Sequence, residues 1–107
     1  MEDPFLADHL ARHFDLRCSV PDADERAEMH RIIFDELCRG QCLDSSRQAV
    51  ARMMDGLAAR GCDAVVLGCT EISLLINPHD TGWPVPIIDT TAEHAQAAVD
   101  WLLETRP

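Results

Sequence analysis

The 107-residue sequence has no Lys, no Tyr and a single Asn (Asn77), and its aromatic side chains are Trp83, Trp101 and three Phe. Without Lys there is no Schiff base to pyridoxal phosphate or to a carbonyl substrate, and no Walker-type phosphate lysine. All nine basic residues are Arg, set against 19 acidic ones, for a formal net charge of −10. A surface of that sign repels nucleic acid, whose binding rests on clustered cations that release phosphate counterions. Long apolar runs are missing too. The longest, residues 64–67 and 72–76, fall far short of the ~20 residues that span a bilayer. The acidic opening Met1-Glu2-Asp3-Pro4 does not read as an export signal. With five Cys, an odd number, the expectation is a cytoplasmic protein with reduced thiols.

What is present reads as one domain. Asp3-Pro4 ahead of Phe5, Leu6, Leu10 and Phe14 predicts a short helix with Asp as cap and Pro in its first turn. Residues 16–20 form a candidate strand closed by Pro21. Asp22 with Glu25 resembles a capping box, and Met29, Ile32, Ile33 and Leu37 continue at helical spacing to a stop at Gly40. A second long helix is expected from about Asp44 or Ser45 to Arg60, with Val50, Met53, Met54 and Leu57 inward and Gly61 after it. Residues 64–67 are then continuously apolar, as in a parallel strand buried on both faces. A helical stretch begins at residues 72–76, a second buried strand covers 85–89, and Thr90 with Glu93 reads as a capping box for a last helix. The order predicts an α/β fold, a small parallel sheet flanked by helices.

Ligands of open α/β sheets bind beyond the carboxyl ends of the strands. Cys69 falls at such an end, after Gly68 and before a helix, with Thr70 and Glu71 beside it; Asp89-Thr90-Thr91 ends the second strand in the same way. A helix N-terminus favours thiolate, so a lowered Cys69 pKa is expected. Buried packing is the plainer reading of Cys69, and helix capping that of Thr90 and Thr91. Cys38-x-x-x-Cys42 with His30 nearby lacks the paired spacing of structural zinc sites, so no metal site is expected. Met53-Met54 reads as helix core and His94 as a surface residue, while His9, His13 and His79 show no pattern.

The stretch from Gly61 to Ile72, centred on Gly68-Cys69-Thr70-Glu71, resembles the second cysteine motif of the aspartate/glutamate racemase family. The stretch from Pro86 to Ala95, with Asp89-Thr90-Thr91, resembles that family's C-terminal signature. Val20-Pro21, Arg26, His30-Arg31-Ile32-Ile33, Glu36-Leu37, Gly40 and Ser46-Arg47 follow the order of its aspartate racemase branch.

This resemblance implies the C-terminal half of a two-domain racemase that uses no cofactor. About residues 1–88 would form the second domain, and the helix from about 89 to 107 would pack on an N-terminal domain. The family's two cysteines flank the α-carbon of an acidic amino acid, one removing a proton and the other returning one. On that mapping Cys69 is the second acid/base. Thr70, Glu71, Thr90 and Thr91 are substrate-binding candidates, and Arg39 stands near the position where related enzymes carry a Lys. The family's first Cys motif is absent. Cys62 lies seven residues before Cys69, roughly 23 Å along an extended strand, at the wrong end. The implied partners are a small amino-acid substrate and either a second copy of the chain or an N-terminal domain, with no nucleic acid and no membrane. A non-catalytic remnant of the fold and a hydantoin racemase-like enzyme are the alternatives.

Overall fold

A computed structural model of the chain describes residues 4–104. Helix α1 spans Phe5–Phe14, with Pro4 in the capping position and no side-chain cap. Asp3, the expected cap, lies outside the described residues. Asp15 ends the helix in the left-handed region at φ 54°. None of the α1 residues is buried.

The expected strand at residues 16–20 does not form. The segment runs without regular structure and Leu16 and Val20 are exposed. Among the described residues no strand pairs with it: the Val20 carbonyl accepts from the Arg60 guanidinium at 2.8 Å instead of from a neighbouring strand.

Helix α2, Ala23–Arg31, starts on the Asp22/Glu25 capping box, with both reciprocal hydrogen bonds made. It does not continue unbroken to Gly40. The ladder widens into a π turn over Ile32–Glu36, then tightens into a 3₁₀ turn over Leu37–Arg39 before Gly40 stops it at φ 76°. The break turns on Glu36, whose backbone leaves the helical region at φ −121°, ψ −67°. Its carboxylate is buried, accepting from Arg31 at 2.7 Å and from the Ser46 hydroxyl on the next helix. A buried carboxylate needs such partners. Holding Glu36 inward alongside Ile32, Ile33 and Leu37 takes one residue more than a regular turn supplies.

Helix α3, Asp44–Ala59, has its predicted bounds and inward face: Val50, Met53, Met54 and Leu57 are all buried. Val50, Met54 and Leu57 meet Ile32, Ile33 and Leu37 in one core that continues into the sheet. The sheet has two parallel strands, β1 (Val65–Leu67) and β2 (Ile87–Asp89), joined through the short helix α4, Ile72–Leu75. Val65 pairs with Ile87, Val66 with Ile88 and Leu67 with Asp89.

Only one sheet face is covered. Val65 and Leu67 are buried, while Val66 is 56% exposed and its register partner Ile88 is 40% exposed. The expectation of strands buried on both faces is corrected: the helices of residues 4–104 cover a single face. Helix α5, Thr90–Glu104, leaves directly from β2 and has no buried residue; Val99, Trp101, Leu102 and Leu103 are exposed.

Candidate active site

Parallel pairing in register puts the carboxyl ends of β1 and β2 side by side. Beyond β1, Gly68-Cys69-Thr70-Glu71 turns into α4, and beyond β2 the chain enters α5. Thr90 ties the two ends together, its hydroxyl donating to the Leu67 carbonyl at 2.8 Å. The capping box expected of Thr90 and Glu93 is therefore replaced. The Asp89 carboxylate, one residue earlier, accepts from the Thr91 N–H at 3.0 Å and takes over the capping role.

Cys69 is half-buried at this rim, and its thiol donates to Glu71 Oε2 at 2.9 Å. The Thr70 hydroxyl donates to the same oxygen at 2.8 Å. Two donors on one carboxylate favour its charged form, and these bonds, that from Cys69 first, hold Glu71 below the ordinary carboxylate range. The thiol moves the other way. Burial raises the Cys69 pKa most, followed by the hydrogen bond to Glu71, with smaller like-charge pushes from Glu71 and Cys38.

The expected lowering of the Cys69 pKa is thus overturned. Helix α4 is four residues long with no side-chain cap, too short to develop a strong dipole, and the nearest charge is a carboxylate. The site rests as a thiol beside a carboxylate.

Thr91 is exposed next to Asp89. Arg39 sits on the 3₁₀ turn that packs against α4, with its side chain exposed. Among the described residues no hydrogen bond or ion pair joins it to Cys69, Thr70 or Glu71. Cys42, three residues further on, points at α4, its Sγ 3.6 Å from the Leu74 carbonyl. A shallow cleft of about 220 Å³ lined by Arg47, Asp80, Thr81, Gly82 and Trp83 shares no residue with the rim. Sequence reasoning gave no role to the Arg31–Glu36–Ser46 cluster; the signal was an acidic residue inside an apolar helical face.

A thiol and a carboxylate side by side at the carboxyl ends of parallel strands mark this rim of an α/β fold as the candidate site. The sequence profile of the Asp/Glu/hydantoin racemases matches residues 2–98. The chain is also similar to the structure of a Yersinia pestis protein assigned to the Asp/Glu racemases, with 40% identity and a TM-score of 0.84 over 95% of this chain. It belongs to the Asp/Glu/hydantoin racemase family. The chain spans 44% of that Yersinia structure, less than half its length. No helix among the described residues is long and apolar enough to cross a membrane.

Proposed function

We propose that this chain supplies one half of an amino-acid racemase acting on aspartate or glutamate, with Cys69 as the acid/base on one face of the α-carbon. The observation that carries this reading is the 2.9 Å hydrogen bond from the Cys69 thiol to Glu71 at the joined strand ends. In one direction a base on the opposite face removes the α-proton, and the Cys69 S–H delivers a proton to the carbanion, becoming thiolate. In the other direction the Cys69 thiolate takes the proton and the opposite acid returns one. A neighbouring negative charge suits both strokes: it keeps the resting thiol protonated and makes the thiolate a stronger base toward a weakly acidic C–H.

Thr70 and Thr91 offer hydroxyls to the substrate carboxylates. Glu71, held ionised, has the charge to meet the substrate ammonium group. Thr90 keeps its oxygen lone pairs free to accept while its proton holds Leu67. Arg39 is the rim's candidate cation for a carboxylate, which its guanidinium can bind bidentately. No step calls on a cofactor. The opposite-face group and much of the pocket would come from the other half of a two-domain enzyme, residues 1–107 being the second half. The apolar side chains of α5 and the uncovered sheet face at Val66 and Ile88 support that arrangement.

The test is exchange of the α-hydrogen of D- and L-aspartate and D- and L-glutamate in deuterated water, with the chain alone and joined to a complementary half. Exchange that appears only with both halves, and disappears in Cys69→Ser, supports the reading. Exchange that persists in Cys69→Ser sinks it. No exchange with either preparation leaves the non-catalytic remnant as the better description.

A further inference from the structure

The face of α1 carries a pair of imidazoles that the racemase reading does not use. His9 and His13 are one turn apart, with ring centroids 4.5 Å from each other and planes tilted by 42°. Residues at i and i+4 share a helix face, and the helix makes neighbours of two histidines that carry no motif in the sequence. Two aromatic rings flank His9. Phe5 is stacked at 6.0 Å and 25°, and Phe14 lies at 6.2 Å. Both histidines are exposed, and an open groove of about 310 Å³ runs along Phe5, Asp8, His9, Arg12 and His13.

We propose that His9 and His13 form a two-imidazole chelate for a divalent transition ion, with water completing its shell. Imidazole nitrogen is a favoured ligand for nickel, copper and zinc. The ring separation sets whether both rings can reach one ion. With metal–nitrogen bonds of about 2.0–2.1 Å and roughly 1.1 Å from nitrogen to ring centre, two imidazoles held at about 90° place their centroids about 4.5 Å apart. A tetrahedral angle would place them at about 5.2 Å. The observed 4.5 Å lies at the short end of this range, close enough for the two rings to share one ion. The flanking Phe rings restrict the His9 ring before the ion arrives, which lowers the entropy lost on binding. Among the described residues no third His, Cys, Asp or Glu joins the pair, so the site is a surface chelate and not a closed structural centre.

Because the two rings meet only while the segment is helical, the ion binds folded α1 and stabilises it by linkage. The experiment is titration of the chain with Ni²⁺ followed by residue-resolved amide hydrogen exchange and by calorimetry. One Ni²⁺ per chain, slowing exchange within residues 5–14, is the expected result. His9→Gln and His13→Gln should each weaken binding roughly tenfold or more by removing the second point of attachment. Neither variant threatens the core, since α1 has no buried residue. Slowed exchange confined to Cys38, Cys42 or Cys69, or variants that bind as tightly as the parent, would overturn the proposal.

Discussion

The Thr90 hydroxyl donates to the Leu67 main-chain carbonyl at 2.8 Å, joining the last residue of β1 to the first residue of α5. One side chain thereby holds the two strand ends on which the candidate site is built. Thr90→Val keeps the shape and removes the donor, so it should cost about 1 kcal/mol. That corresponds to a fall in Tm of roughly 4–8 °C for a domain of this size. Thr90→Ser should retain most of the stability. Thermal unfolding followed by circular dichroism compares the three proteins.

Glu71 raises the Cys69 pKa, and Cys69 in turn lowers that of Glu71. Glu71→Gln removes the negative charge and should lower the pKa of the thiol. The expected outcome is faster alkylation of Cys69 by iodoacetamide at a fixed, mildly alkaline pH, with the midpoint of the rate–pH curve moved down. Peptide-resolved mass spectrometry separates Cys69 from the other four thiols. An unchanged midpoint would mean that burial alone sets its pKa.

Glu36 is held below the ordinary carboxylate range by the Ser46 hydroxyl first and by Arg31 second. A carboxyl with a lowered folded pKa stabilises the fold above its unfolded value, and that contribution is lost as pH falls through the folded value. The chain should therefore lose stability on acidification from about pH 4.5 downward. Glu36→Gln should start from lower stability at neutral pH and show a shallower acid loss. Urea unfolding at a series of pH values reads both quantities.

Neighbouring residues of β1 should respond very differently to truncation. Leu67 is buried in the core, and Leu67→Ala should cost about 2–5 kcal/mol. Val66 faces away from the core, and Val66→Ala should stay within about 0.5 kcal/mol in this chain. If the sheet face is covered in a two-domain protein, the same Val66 change should become costly there. Denaturant midpoints measured in both contexts make the comparison.

Much of the site was legible because it rests on local chemistry. Gly68-Cys69-Thr70-Glu71 follows an apolar run and Asp89-Thr90-Thr91 ends another, and strand-end position follows from those patterns. The inward face of α3 was equally readable, since the period of apolar residues is set by helix geometry. What failed depended on neighbours. Residues 16–20 have strand-like composition, yet a strand needs a partner to satisfy its backbone groups, and none of the described residues supplies one. The cap of α5 moved to Asp89 because the Thr90 hydroxyl found a carbonyl on the other strand.

The sequence by itself determined the acid-rich, lysine-free composition, the helical faces, the two strand ends and the identity of the groups set there. Tertiary structure decided how those groups behave. Placing the Cys69 thiol half-buried against Glu71 reversed the expected direction of its pKa, because desolvation and the hydrogen bond to the Glu71 carboxylate outweigh the opposing hydrogen bond from the Glu71 backbone. The fold also decided that Glu36 points inward to Arg31 and Ser46, and that Val66 and Ile88 do not meet the core. Periodicity indicates which residues share a face; only packing shows what covers it.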